Sequence, residues 1–126
     1  MRRPSVVHPA DRAAPAAQAT PGMRREESYA AADRWIGMVQ TAAGTTSGWH
    51  HHGDHDTYLY VLRGAVVFEF GPGGRESLTF DAGDFGHMPA GVVHRESAPA
   101  DADSELIVVR IGHGPTVVNL DGPPGE

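Results

Sequence analysis

Four histidines fall within six residues, His50-His51-His52-Gly53-Asp54-His55, and seven of the chain's eight lie between residues 50 and 113. In an extended segment successive side chains point to opposite faces, so His50 and His52 project to one side about 7 Å apart while His51 points away. Two imidazoles on one face can meet a single metal ion. A third ligand has to come from elsewhere, and His94 is the best candidate. It follows Pro89-Ala90-Gly91, a turn that aims the next strand back across a sheet. Taken alone, His94 reads equally well as a hydrogen-bonded core histidine. The chain has no cysteine, which excludes disulfides, thiolate ligands and a cysteine nucleophile and leaves nitrogen and oxygen to hold any metal. Two further residues are candidate catalytic groups. His87, two before Pro89, is placed either to line a pocket as an acid or base or to make a surface hydrogen bond. Glu96 shares the face of His94 and serves either to orient a ligand or bind substrate, or to form an ordinary ion pair.

Positioning these residues falls to short strands. At 126 residues the chain is about one domain in size, and sixteen Gly with ten Pro favour many turns over long helices. The alternation of apolar side chains predicts strands over residues 34–41, 57–62, 65–70, 75–80, 85–88, 92–97 and 105–111, separated by Arg63-Gly64, Gly71-Pro72-Gly73-Gly74 and Asp81-Ala82-Gly83-Asp84. No stretch has helical period, so the expected fold class is all-β, a sandwich or barrel. If Thr57 faces inward, so do Leu59 and Val61, which puts Tyr58 and Tyr60 outside. Residues 1–22, rich in Pro and Ala, read as a flexible N-terminal arm, residues 23–113 as the barrel and residues 114–126 as an extended tail packed along the barrel or a second subunit. Arg24-Arg25-Glu26-Glu27 reads as a solvated face or part of an arm-exchange contact.

A formal charge of −6 argues against nucleic acid and against an anionic membrane surface as partners. A small molecule is the expected partner. Arg2 and Arg3 precede no apolar run of signal or membrane-spanning length, so the expected location is cytoplasmic. Outward aromatics and long terminal segments lead us to expect a homodimer.

The segment Gly44-(5)-His50-x-His52-(4)-Thr57-(6)-Gly64 resembles the first motif of the cupin superfamily, and Gly83-(5)-Pro89-(4)-His94 resembles the second. The resemblance covers about Trp35 to Ile111. It implies a single-domain cupin-type β-barrel (a double-stranded β-helix, or jelly roll) with one divalent metal ion on His50, His52 and His94. Thr57 departs from the pattern, which usually has Glu there as a fourth ligand. Ala98 departs too, where Asn is common. The resulting three-histidine set is similar to that of the cupins that include thiol and diketone dioxygenases, with His55 or Asp56 as alternative fourth ligands. Three neutral ligands leave the full charge on the ion, which favours an anionic, chelating substrate. The implied function is a metal-dependent small-molecule enzyme, a dioxygenase with iron first in order, or an isomerase, cyclase, dehydratase or lyase using zinc, nickel, manganese or copper. A binding or sensing module without catalysis is the alternative from a different class.

Overall fold

The computed structural model describes residues 2–15 and 18–125. Ten strands carry the fold: β1 (Met23–Ala31), β2 (Arg34–Thr41), β3 (His50–His51), β4 (Asp56–Arg63), β5 (Ala65–Phe70), β6 (Glu76–Asp81), β7 (Phe85–Met88), β8 (Arg95–Ser97), β9 (Ser104–Ile111) and β10 (Val118–Asn119). They form a five-stranded sheet in the order β1-β2-β9-β4-β7, a three-stranded sheet β6-β5-β8 and a short β10-β3 pair. The joins β2 to β9, β4 to β7 and β5 to β8 link strands distant in sequence, and all are antiparallel. This wraps the chain into a barrel rather than a meander of hairpins.

Alternation decides the interior. Along β4, Thr57, Leu59 and Val61 are buried while Tyr58 is exposed and Tyr60 half-buried, as the inward placement of Thr57 requires. Val61, Leu59, Val66, Phe68, Met88, Leu106, Val108, Trp35 and Val39 make one apolar cluster drawn from both larger sheets. Each such side chain contributes about 1.5–3 kcal/mol by leaving water. The β4–β5 turn depends on Gly64, whose φ is +72° and where a Cβ would run into the Asp103 carbonyl.

The observed strands follow the expected ones, with β1, β3 and β10 in addition and a later start for β8. Residues 92–94 are not part of β8, because Pro89 to Val92 close a turn (Val92 N to Pro89 O, 3.3 Å); the chain is extended from His94, which bridges to His50, and β8 starts at Arg95. The run Arg24-Arg25-Glu26-Glu27 keeps Arg24 exposed and makes the arm contact within its own chain, through Glu26 and Glu27. It lies in β1, paired with β2, and Arg25 points inward. Beside β1 runs part of the N-terminal segment: Ala13 and Glu27 exchange backbone hydrogen bonds at 3.0 and 2.7 Å, and Arg12 reaches Glu26 at 3.4 Å. Thr20 is buried and donates to Asn119 at 2.9 Å. The tail packs along the barrel, with β10 on β3 and Leu120 N donating to Trp49 O at 2.9 Å. Among the described residues no helix is long and apolar enough to cross a membrane.

Candidate metal centre

His50 and His94 face each other across an isolated bridge in which each backbone N–H donates to the other's carbonyl at 2.9 Å. This bridge sets two imidazoles side by side, with ring centroids 4.4 Å apart. His52, on the same face as His50, completes the group at 5.1 and 5.0 Å. All three residues are buried, and their ligand atoms lie within 4.8 Å of one another.

The far side of each ring is held by a main-chain carbonyl. Nδ1 of His50 meets Gly48 O at 2.9 Å, that of His94 meets Val92 O at 2.9 Å and that of His52 meets Thr116 O at 2.8 Å. A carbonyl can only accept, so Nδ1 carries the proton and the Nε2 lone pair faces inward. Arg110 Nε also approaches His52 Nδ1, at 3.2 Å. Both contacts cannot be satisfied by one ring nitrogen. The shorter carbonyl contact matches the arrangement at the other two rings and decides the tautomer. Nε2 of His50 and of His94 are buried without a hydrogen-bond partner. Orphaned, converging imidazole nitrogens with fixed tautomers are what a metal ion requires, so the residues fit the ion that the motif implies.

Burial favours the neutral form of the His50 and His52 imidazoles. Burial lowers the His50 pKa from the usual 6.5 to about 3, the nearby His94 adding to the effect and Glu96 opposing it. Burial, then Arg110, pushes His52 well below its ordinary value. An unfolded chain therefore takes up protons below pH 6.5 that the folded one refuses, and stability is lost as pH falls from about 6.5 toward 3. We expect the urea midpoint of chelator-treated protein to be flat between about pH 7 and 8, below the range in which Arg110 loses its proton. Below pH 6.5 stability should drop, by up to about 1.4 kcal/mol per pH unit for each depressed histidine. A midpoint that held constant down to pH 4 would show that these rings are not buried neutral.

Three charged side chains share this interior. Glu96, two residues beyond His94 and 4% exposed, brings Oε1 to 3.7 Å from His94 Nε2 and 3.9 Å from His50 Nε2. Arg110, 2% exposed, lies over the Trp35 ring at 4.8 Å with Nη1 unpartnered. Burial, together with Arg25, lowers its pKa to about 9, which leaves it charged at pH 7. Arg25 is held by Thr20 Oγ1 at 2.8 Å and by the Gln18 carbonyl, and its Nε has no partner. Thr57 Oγ1 is likewise buried and unpartnered. An apolar recess of about 230 Å³, lined by Phe68, Phe80, Met88 and Val92 among others, lies beside the triad, and Phe68 stands 5.6 Å from the His94 ring. A larger recess of about 530 Å³ near Gly22 and Asp103 includes none of the histidines.

The structure thus brings together His50, His52, His94 and Glu96. It does not bring His87 to them: that ring is exposed, contacts Asp56 at 3.0 Å and stacks on Tyr58, and it is among the residues lining the apolar recess. His55 is buried against the His52 carbonyl at 3.1 Å and lies outside the ligand group, as does Asp56. Reading the sequence missed Arg25, Arg110 and the Thr116 carbonyl. The signal for Arg110 was present, since it occupies the inward parity of β9 behind Leu106 and Val108.

The architecture is a small antiparallel β-barrel with three converging histidines that could hold a metal ion. Residues 37–110 match the family model described as the cupin domain, and the chain belongs to that family. No curated protein sequence matches it. Among solved structures it is similar to an uncharacterized conserved protein with a double-stranded beta-helix domain from Klebsiella pneumoniae, at 16% identity and TM-score 0.69 over 80% of this chain and 86% of that one. It is also similar to KdgF from Halomonas sp., at 26% identity and TM-score 0.61 over 75% and 83%. Oxalate decarboxylase from Bacillus subtilis matches at 16% identity and TM-score 0.68 over 81% of this chain, which spans only 28% of that protein.

Proposed function

We propose that this chain is a metal-dependent enzyme acting on a small anionic substrate that chelates the ion. The observation that carries this reading is the charge inside the barrel. Two buried guanidinium groups, Arg25 and Arg110, stand against a single buried carboxylate, Glu96, among the described residues. A buried cation lacking a full set of acceptors is costly, and an anion is what relieves it. A divalent ion on the triad supplies further positive charge and open coordination positions, which suit oxygenation with iron(II) and Lewis-acid chemistry with zinc, nickel or manganese. Arg110 and Arg25 then bind and orient the substrate's anionic group. Thr57 offers a neutral hydroxyl to it, and Phe68 with Val92 keeps water from that side. As a partner in solution we propose a second copy of the chain, placed on the outer face that presents Tyr58 and Phe85.

The test is elemental analysis of freshly purified protein, followed by titration of loaded and chelator-stripped samples with hydroxy acids, keto acids and enolisable acids under air and under nitrogen. The ion panel includes manganese, since Mn(II) centers are described for the Bacillus subtilis oxalate decarboxylase. We expect one ion per chain and at least tenfold tighter anion binding by loaded protein. Oxygen uptake identifies a dioxygenase, and anaerobic turnover identifies a lyase, isomerase or cyclase. Stripped protein that binds or converts the anions as well as loaded protein overturns the proposal.

A further inference from the structure

Glu96 is a counter-charge to the buried Arg25 and Arg110, but its carboxylate makes no direct contact with either. It is the one acidic side chain buried among the described residues, and its Oε2 has no hydrogen-bond partner. Its Oε1 lies 3.7 and 3.9 Å from the Nε2 atoms of His94 and His50, too far for hydrogen bonds. Among the described residues no guanidinium comes within ion-pair distance of it, although Arg25 and Arg110 act on it from farther off. A buried carboxylate left in this condition is expensive, and its partner must be something that arrives. Two atoms that bind one ion at about 2.1 Å each are about 3–4 Å apart, which is the separation seen here.

The backbone fixes the aim. Glu96 N accepts no choice of position, because it donates to Ser47 Oγ at 2.9 Å while Ser47 N donates to Glu96 O at 2.7 Å. Two residues earlier, the His50–His94 bridge locks the register. In extended backbone the side chains of positions 94 and 96 share a face, so both enter the barrel. Across the interior, β4 presents Thr57, buried and with an orphaned hydroxyl, at the position where a carboxylate would otherwise come from that strand.

We propose that Glu96 is the fourth protein ligand of the ion held by His50, His52 and His94, so that the carboxylate comes from β8 where Thr57 leaves β4 without one. This rests on the metal-centre reading above and deepens it: one carboxylate cuts the charge on the ion by one, and the side of the site facing Thr57 stays open to substrate.

The test measures metal binding rather than turnover. Wild type, Glu96→Gln and Glu96→Ala are titrated with cobalt(II) and zinc(II), with thermal melts of the stripped and loaded forms. Wild type should bind one ion. Both variants should bind at least 10-fold more weakly, with a changed cobalt absorption spectrum and a smaller metal-induced rise in Tm, while stripped Glu96→Gln melts no lower than stripped wild type. Failure of wild type to bind either ion sinks the metal-centre reading and this proposal with it. Normal binding by wild type together with unchanged affinity and spectrum in Glu96→Gln sinks only the role of Glu96. If both variants fail to fold, the crystal structure of zinc-loaded wild type decides: a Glu96 oxygen within about 2.3 Å of the ion supports the assignment, and one beyond 3 Å overturns it.

Discussion

His94→Ala is expected to strip the metal from the barrel and abolish turnover, while His51→Ala, one strand away and pointing outward, leaves both nearly intact. His94 supplies one of three imidazoles whose Nδ1 is pinned to a main-chain carbonyl, and the described residues offer no other histidine within reach of the vacated place. Residues that merely support a ligand typically cost 10–100-fold in metal affinity, so loss of a ligand should cost at least about 100-fold. Stability of the stripped protein should change far less, because Ala removes an unsatisfied buried nitrogen along with packing atoms, and the backbone bridge to His50 remains. His51 makes a local contact, its Nδ1 accepting from Gly53 N at 2.9 Å, worth about 0.5–1.5 kcal/mol. Metal content by mass spectrometry, read with the thermal melt of each stripped variant, checks the comparison. Equal loss of metal from both variants would show that the face assignment of the His50–His52 segment is wrong.

That assignment was legible in the sequence because it needs only local geometry. Alternation along an extended chain separates His50 and His52 from His51, and the same rule sends Thr57, Leu59 and Val61 inward and Tyr58 outward. Hairpin signals placed β4, β5 and β6 to within a residue or so. The motif spacing joined His94 to the pair, which alternation alone cannot do. What stayed hidden depends on contacts distant in sequence. β1 carries Arg24, Arg25, Glu26 and Glu27, so its apolar alternation is broken. It is a strand because β2 pairs with it and because Thr20 and Gln18 offer oxygens to the inward Arg25. The role of Thr116 depends on a tail whose composition says only that it is extended. Glu96 was placed on the face of His94 by parity, but its orphaned carboxylate becomes visible only once β8 is set opposite Ser47 and His50. Local rules find a side chain's face and not what waits there.

Arg110 shows why that distinction matters for function, since its inward parity on β9 is that of a core residue and its charge is not. Arg110→Met keeps much of the side chain's volume and its packing on Trp35 while removing the charge and the donors. The stripped variant should be as stable as wild type or more so, because exchanging a poorly compensated buried charge for an apolar group of similar size is often neutral or stabilising by about 1–4 kcal/mol. Metal content should stay within about threefold, since the His52 Nδ1 proton is taken by the Thr116 carbonyl and not by Arg110. Anion binding by the loaded protein should weaken by about 30- to 1000-fold, the 2–4 kcal/mol typical of cutting a buried charge pair. Arg110→Lys should restore little of it, because a single ammonium does not reproduce the planar fork resting on Trp35. The measurements separate the two roles open to this residue. Weak anion binding with metal retained assigns Arg110 to the substrate. Loss of metal as complete as in His94→Ala would assign it to holding His52 instead. Unchanged anion binding would remove Arg110 from the site and, with it, the charge argument for an anionic substrate.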